Sequence, residues 1–467
     1  MVEEGHQVVC LVRDKRRFDF EDFDQDFLRQ VEVIEADLNQ PGSLTNLPKD
    51  IDAAYYLVHS MSVSFKDFTE EEQVTATNFG NYIKSTQAQQ VIYLGGIVND
   101  DNLSEHLASR ENVESILKAS GKPLTVLRAA IIIGSGSASF EIIRDLVEKL
   151  PVMITPKWLQ TSCQPIAIRN VLQYLNGVLL KEEALNQTYD IGGPNVLTYR
   201  EMLLGYAKVR GLKRLIITLP VLTPRLSSLW LYFVTSTTYL LARNLVDSMK
   251  SEAVCHESRI KSLISIEIIN YEEALRLTLQ KIADRDVVSS WKDAIYSNSL
   301  GSDFHDKIKV PKYGCLFDRQ EVILDSEAPR VFENVWRIGG QRGWYFGNWL
   351  WRIRGFVDKL VGGVGLRRGR RNENDLKSGD ALDFWRVLYA NKEEHRLLLF
   401  AEMKLPGEAW LEFKIVPEAG KSLHKLVQTA TFRPLGIWGR LYWYLMVPFH
   451  FFIFKEMAHR IAHYRSA

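Results

Sequence analysis

The sequence predicts two domains of different class: an α/β domain built on a parallel sheet in residues 1–283 and an α+β domain in residues 319–467. The first prediction rests on short apolar runs, rich in β-branched residues, that alternate with helical segments. The second rests on composition, because eight of the eleven tryptophans lie after residue 330, among stretches that alternate apolar and polar residues. A chain of 467 residues is too long for one ordinary core, so the polar residues 284–318 are predicted to be a linker.

The α/β pattern is clearest around Gln90–Gly96, an apolar run that stops at two glycines. Residues 104–120 are predicted to follow as a helix and residues 124–133 as the next strand. Strand, helix and strand joined by short links form a right-handed βαβ unit. Ligands of such sheets bind beyond the carboxyl ends of the strands, so the two glycines and residues 128–136 mark the expected binding region.

Three earlier apolar runs bounded by polar residues are predicted to be strands, at 6–13, 31–37 and 51–59. Residues 70–86 are predicted to form the helix that precedes the strand at Gln90. Residues 1–5 have the pattern of a last helical turn that ends at a glycine. The amino-terminal part of the chain is therefore a series of strands and helices in alternation.

Six short motifs occur in this order along this part of the chain: LVRD at 11–14, EADL at 35–38, YYLVHSM at 55–61, YLGG at 93–96, TVLRAAIIIGSGSASFE at 125–141 and YDIGGPNVLTY at 189–199. As a set they resemble the atypical short-chain dehydrogenase/reductase proteins, in their NmrA-like and complex-I-subunit-like branch. The resemblance implies a Rossmann-like parallel sheet, a nicotinamide dinucleotide cofactor and a small substrate subdomain at about 142–283.

One departure from that family concerns the start of the chain. The family opens with a strand and a GxxGxxG turn, whose backbone N–H groups hold the pyrophosphate. Here Met1 falls inside the helix after that turn, so we expect a Rossmann-like sheet that lacks its first strand. Loss of a central strand would open the sheet and leave backbone groups unpaired. A start codon assigned too far downstream, a fragment or a degenerate protein would each explain the pattern, and this chain is expected to bind dinucleotide poorly.

Cofactor-contacting positions follow from the resemblance. Arg13 ends the second family strand, where an arginine accommodates the 2′-phosphate of NADP and an acidic residue would favour NAD. The alternative for Arg13 is a solvated basic turn with the three basic residues that follow Asp14. The other positions implied to contact the cofactor are Asp37 and Leu38 near the adenine, Val58, His59 and Ser60 near a ribose, and Gly95, Gly96, Arg110 and Arg128.

The usual catalytic pair of the family, a tyrosine followed by a lysine four residues later, is absent, because no tyrosine of the sequence has a lysine at that spacing. The helix that should carry the pair has His106 and Arg110 on one face. Arg110 could donate hydrogen bonds but cannot act as an acid or base. His106 could donate or relay a proton. Alternatively, His106 caps the helix and Arg110 pairs with Glu111 or Glu114.

The second domain has the order strand, helix, antiparallel strands and long carboxyl-terminal helix at 436–464. This order resembles the helix-grip architecture of START-like and polyketide-cyclase-like domains. The segments GGQRGWYFGNWLWRIRG, LVGGVGLRRGRR, GDALDFWRV and AEMKLPGEAWLEF also resemble an uncharacterised domain appended to these reductases. The resemblance implies a cavity for a lipophilic ligand. The basic run Arg367–Arg371 could favour an anionic membrane surface, or it could be a solvated or internally paired face.

Global features narrow the function classes. A net charge of +1 gives no indication of nucleic-acid binding. Four cysteines far apart, with no metal-ligand spacing among the histidines, favour a reducing cytoplasm and no metal site. Residues 226–242 are uncharged and predict a helix pair over a lipophilic pocket, with a short membrane span as the alternative. We therefore expect a cytoplasmic or membrane-peripheral NADP-binding reductase acting on a lipophilic substrate, or a non-catalytic dinucleotide sensor or assembly factor.

Overall fold

The computed structural model describes residues 1–13, 15, 25–58, 65–97, 105–219, 246–247, 249–283, 310, 315–365, 370, 372, 375–417 and 423–464. The chain divides into two compact units, Met1–Thr235 with Tyr239–Asp286 and Ser236–Thr238 with Val287–Ala467. The main boundary, after Asp286, falls inside the predicted linker. In the described part of the chain, no helix is both long enough and apolar enough to span a bilayer.

The first unit alternates strands and helices. Its strands are β1 (Val8–Val12), β2 (Val31–Glu35), β3 (Ala53–Tyr56), β4 (Gln90–Gly96), β5 (Leu124–Ala129), β6 (Ile132–Ile133), β7 (Val152–Pro156), β8 (Ser162–Cys163), β9 (Ile166–Ala167), β10 (Thr188–Ile191), β11 (Leu197–Thr198) and β12 (Leu215–Leu219). Its helices are α1 (Gln25–Gln30), α2 (Phe65–Lys84), α3 (Glu105–Lys118), α4 (Ala138–Lys149), α5 (Ile168–Gly177), α6 (Tyr199–Val209), α7 (Ile260–Leu263) and α8 (Tyr271–Ala283). Short 3-10 turns lie at Val2–Glu4, Pro41–Leu44, Lys157–Gln160 and Glu182–Ala184.

One predicted element differs in the structure. The predicted strand 124–133 breaks after Ala129, because Ile132 and Ile133 pair with β9 while β5 pairs with β4 and β10. Leu215–Leu219 is a strand that pairs in parallel with β7. Residues 226–242, predicted to form a helix pair, lie outside the described residues.

The main sheet is parallel throughout, with strand order β10-β5-β4-β3. Helices cover both of its faces, because the Tyr55 hydroxyl donates to the Leu175 carbonyl of α5 and the Tyr56 hydroxyl bonds to Thr75 of α2. Alternate side chains of one strand point to opposite faces, so α5 and α2 lie on opposite sides of the sheet. The prediction of an α/β Rossmann-like parallel sheet is thus confirmed at the level of architecture.

Strands β1 and β2 form a separate two-stranded parallel sheet. Helix α2 and the turn before β1 hold this pair to the main sheet. Asn39, after β2, donates to Glu71 near the start of α2, and the Asn78 side chain donates to the Leu38 carbonyl. At the other end, Asn176 donates to both carboxylate oxygens of Glu4. These contacts hold the residues after β2 against α2 and the turn before β1 against the end of α5.

The sheet of the first unit is therefore split between β1 and β3. Val12 accepts a hydrogen bond from the Ala36 amide, so residues of β1 at even positions direct their backbone groups toward β2. The backbone groups of Val9 and Leu11 face the other edge, with which no described strand pairs. The split lies where the sequence predicted the loss of the first family strand.

The small subdomain continues the first unit around a core of its own. Helices α4, α6 and α8 pack their apolar faces together, with Phe140, Tyr206 and Leu275 fully buried. Ser137 caps α4, and Thr198 and Glu201 form a capping box at the start of α6. These caps place the starts of both helices beside the short strands that follow the main sheet.

The second unit is an antiparallel sheet with helices. Its elements are β13 (Leu316–Ile323), α9 (Ala328–Trp336), α10 (Asn348–Leu360), β14 (Ala381–Leu382), β15 (Trp385–Asn391), β16 (Arg396–Ala401), β17 (Gly407–Pro417), β18 (His424–Pro434) and α11 (Gly436–His463). The strand order is β13-β18-β17-β16-β15-β14, and α11 packs on β13, β18 and α9. Strand β13 begins inside the predicted linker. The strands β14 and β15 are separated at Asp383, which has φ of 54°.

Hydrogen exchange offers a test of the split sheet. We expect the amides of Val9 and Leu11 to exchange about tenfold or more faster than those of Cys10 and Val12, because only the even positions donate to β2. Residue-resolved exchange measured by NMR would show the alternation, with the central strand β4 as the protected reference. Equal protection at all four positions would mean that a further strand covers this edge of β1.

Candidate functional site

The carboxyl ends of the parallel strands form one edge of the first unit. Two apolar side chains are exposed directly after β3: Leu57 is 55% exposed and Val58 is 43% exposed. Helices cover both faces of the sheet, so exposed apolar side chains at the end of a strand are unusual. They form a surface that could contact an apolar ring of a ligand. His59 and Ser60, predicted to line the same position, lie outside the described residues.

Arg13 lies beside this edge, directly after β1. Its side chain is exposed and takes part in no ion pair in the part of the chain that the structure describes. Val12 and Glu35 are register partners, and the Lys15 amide donates to a Glu35 carboxylate oxygen at 2.9 Å. Glu35, the acidic residue across the strand pair from Val12, thus already accepts a hydrogen bond from a backbone amide.

Asp37 and Leu38 follow β2. The Asp37 carboxylate accepts the Asn39 amide at 2.9 Å, and the Asp37 amide donates to the Ser43 hydroxyl at 3.0 Å. These bonds form an Asx turn that fixes the loop. Leu38 is half-buried, and its side chain packs between the core under β3 and the small core under β2. Leu38 therefore contributes to the core of the unit as well as to this edge.

Gly95 and Gly96 end β4, opposite Arg128 and Ala129 of β5. A Cβ atom at Gly95 would lie 3.2 Å from the ring of Tyr93, so a larger residue there would have to displace a buried ring. Because glycine has no Cβ atom, the backbone of β4 can pass close to the ring of Tyr93 at the end of the strand.

Arg128 is held by α3 rather than left at the edge. Its guanidinium donates to one oxygen of Glu114 at 2.8 Å and 3.3 Å, while Lys118 donates to the other oxygen at 2.7 Å. Burial raises the pKa of the Glu114 carboxyl, but the hydrogen bonds from Lys118 and Arg128 together lower it below its usual value. Glu114 therefore stays ionised and ties α3 to β5.

Helix α3 carries the two predicted catalytic residues. His106 lies in its first turn, and the side chain of His106 is outside what the structure describes. Further along the helix Val113 and Leu117 are buried, and the Tyr93 hydroxyl donates to the Arg110 carbonyl at 3.4 Å. Glu114, one of the two suggested partners of Arg110, pairs with Arg128 and Lys118.

A buried polar cluster that no sequence motif indicated joins α2 to α3. Ser109 donates to the buried Glu72 carboxylate at 2.5 Å, and Tyr56 bonds to Thr75 at 3.1 Å. Burial raises the pKa of the Tyr93 hydroxyl. The tyrosines below this edge are thus buried groups with little tendency to ionise. The pattern was missed because the partners Glu72 and Ser109 lie 37 residues apart.

A second concave site lies at the carboxyl end of β10, with a volume of about 240 Å³. Its lining is mainly polar and includes Gln164, Asp190, Cys255, His256 and Lys261. The His256 amide donates to Asp190 at 2.9 Å and the Cys255 amide donates to Gln164 at 3.0 Å. Burial raises the pKa of the Cys255 thiol to about 12, so the sulfur is not a ready nucleophile. Sequence reasoning did not single out this site.

Comparison with known proteins bears on the two units separately. Residues 315–457 match a family described as a protein of unknown function, DUF2867. No curated protein matches the chain.

Among solved structures, the chain is similar to a nucleoside-diphosphate-sugar epimerase from Staphylococcus aureus, with 15% identity over 57% of this chain and 90% of that one, and a TM-score of 0.46. The chain is also similar to the Citrobacter sp. triphenylmethane reductase complexed with NADP(H), with 17% identity over 58% of this chain and 90% of that one, and a TM-score of 0.46. A third similar structure is an Escherichia coli NADPH-dependent quinone oxidoreductase complexed with NADPH, with 16% identity over 58% of this chain and 90% of that one, and a TM-score of 0.47. At these low values the likenesses do not establish an activity for this chain.

The split sheet predicts weak cofactor binding by this chain. Among the described residues no strand pairs with the second edge of β1, so no strand-to-helix turn there presents backbone amides to a pyrophosphate. We expect NADPH to leave the melting temperature unchanged in a thermal shift assay. A ligand present at 100 times its dissociation constant would stabilise the fold by roughly 2.7 kcal/mol. A shift of several degrees would contradict this expectation.

Proposed function

We propose that residues 1–283 form a reductase-type domain whose cofactor is a nicotinamide dinucleotide, bound weakly by this chain and with NADP preferred over NAD, and whose substrate is lipophilic. The observation that carries the proposal is the edge described above, where exposed Leu57 and Val58 lie at the end of a parallel strand. The strand β4, with its glycine end, pairs beside β3, and Arg13 follows β1, whose partner β2 is held to α2. Binding at the carboxyl ends of the strands is the rule for open parallel sheets.

The roles of the residues follow from their chemistry. Arg13 would pair with a 2′-phosphate through charge-assisted hydrogen bonds. Asp37 would lie near the adenine, and Val58, with His59 and Ser60 after it, would line a ribose. Bound dinucleotide would supply the hydride. Arg110 would orient ribose hydroxyls, while the ion pair of Arg128 with Glu114 assigns Arg128 to holding α3 in place.

Cofactor choice can be tested on a chain that carries an added amino-terminal strand and GxxGxxG turn. We expect this extended protein to bind NADPH at least tenfold more tightly than NADH, because a lost charge-assisted hydrogen bond costs about 1.5–3 kcal/mol. Arg13→Asp should narrow or invert the difference, as measured by fluorescence titration. Arg169→Asp, at an exposed arginine on α5, is the matched control. Equal affinity of the unsubstituted protein for both dinucleotides would show that Arg13 does not select NADP.

The alternative function is a dinucleotide sensor or assembly factor without catalysis, and the missing tyrosine–lysine pair favours it. In an enzyme that uses His106 as proton donor, His106→Gln should slow turnover about 100-fold and leave dinucleotide affinity unchanged. The measurement is NADPH oxidation with lipophilic carbonyl acceptors, using the extended protein. An unchanged rate would remove His106 from the mechanism. Tight NADPH binding with no oxidation by any acceptor would favour the sensor.

For the second unit we propose a helix-grip fold of the START-like kind that engages lipophilic material. Its support is the strand order, in which the first strand pairs with the last beside the long helix α11. The interior is filled by aromatic side chains, and six of the eight tryptophans are buried: Trp336, Trp344, Trp351, Trp385, Trp410 and Trp443. Lipophilic contact is therefore better sought on the surface, which fits a cytoplasmic protein that associates peripherally with membranes.

A further inference from the structure

Helix α10 presents a mainly apolar side to solvent, while its buried positions include two charged residues, which departs from the pattern of an ordinary surface helix. One of the buried residues is Asp358, whose carboxylate accepts the amides of Gly365 and Lys404 at 2.8 Å and 2.7 Å. Burial raises the pKa of the Asp358 carboxyl. Apart from Asn348 and Arg352, the exposed positions are apolar and recur at helical spacing: Trp349, Ile353, Phe356, Val357 and Leu360, with Val361 directly after the helix.

The first five turns of α11 show the same feature. Eight large apolar or aromatic side chains there are between 51% and 77% exposed: Ile437, Trp438, Leu441, Tyr444, Leu445, Phe449, Phe451 and Phe452. The helix continues through Pro448, which removes one backbone donor from the helix. Only the second half of α11, from Ile453 onward, follows the ordinary pattern and buries its apolar residues in the core.

The two exposed stripes adjoin each other. Phe346, just before α10, packs against Phe452 with 5.2 Å between ring centroids, and Trp351 packs against Phe454 at 6.3 Å. We call the exposed residues of α10 and of the first half of α11 the apolar face. A contiguous surface of this kind marks an interaction site.

Charge identifies the partner that this face suits. Residues 435–455 contain no aspartate or glutamate, and their only arginine and lysine residues are Arg440 and Lys455. The single carboxylate of α10, Asp358, is buried. The exposed charged residues within these two stretches are thus cationic, with Arg352 as the third. Tryptophan, tyrosine and phenylalanine together with exposed cationic residues have the composition of helices that lie in the interfacial layer of a bilayer.

We propose that the apolar face docks this protein onto the surface of an anionic phospholipid bilayer, with α10 and α11 lying in the headgroup layer. The proposal rests on the lipophilic contact proposed for the second unit and names its partner. It places the membrane contact on the apolar face, whereas the sequence analysis had considered the basic run at 367–371 for this contact. The described member of that run, Arg370, donates to the carbonyls of Ile338, Asn372 and Asp375, so its guanidinium is held within the fold.

The test is flotation of the full chain with vesicles of phosphatidylcholine alone or mixed equally with phosphatidylglycerol. The protein should float with the anionic vesicles, less with the neutral ones, and less as salt is raised. Ile353→Glu combined with Leu445→Glu should weaken partition at least about tenfold, equivalent to about 1.4 kcal/mol. Leu172→Glu combined with Val196→Glu is the matched control. Both residues are more than half exposed in the first unit, and this variant should float like the parent.

Two further measurements keep the outcome decisive. Circular dichroism must show both variants folded, and brominated lipid should quench the parent's fluorescence more than that of Trp438→Phe. A folded parent that never floats, or a face variant that floats like the parent, overturns the proposal. So does a dimer, seen by light scattering, that the face variant dissociates. Binding of a dispersed apolar dye by a protein that does not float would retain lipophilic contact while excluding bilayer docking.

Discussion

The geometry of the first unit depends on helix α2, which joins two sheets that do not pair with each other. Its Glu71 and Asn78 side chains contact the residues after β2, while Ala76, Phe79 and Ile83 lie in the core under β3 and β4. Through this helix, the loop after β2 that contains Asp37 and Leu38 is held against the part of the unit that contains β3 and β4. The candidate site is therefore assembled by side-chain contacts across a gap, where an unbroken sheet would use backbone hydrogen bonds.

The side chains near this edge divide into those that hold the scaffold and those that remain available. Glu114 joins Arg128 and Lys118, and Glu72 accepts from Ser109, so both carboxylates fix α3 against the sheet. Arg13 and the apolar pair after β3 have no comparable role in packing. That division favours binding of an anionic, ring-containing ligand over acid–base chemistry at the described side chains. It therefore supports the alternative proposal of a dinucleotide sensor without catalysis.

The second unit combines a closely packed interior with an unusual exterior. Trp344 stacks on Phe384, and its indole N–H donates to buried Asp383, so aromatic rings fill the space that a ligand cavity would need. The apolar residues that the interior does not take up lie on α10 and α11. A helix apolar around its whole circumference must bury some of that surface in a partner. The first half of α11 has this composition without a described covering element.

The sequence by itself determined the alternation of strands and helices, the two-domain division and the position of the break, because each follows from local periodicity or from a motif in order. Only the tertiary structure decided that Arg128 and Arg370 are bound within the fold, that Ile132 and Ile133 leave the main sheet, and that α10 turns its apolar side outward. These depend on contacts between residues distant in sequence, such as Asp358 with Lys404, which periodicity does not encode.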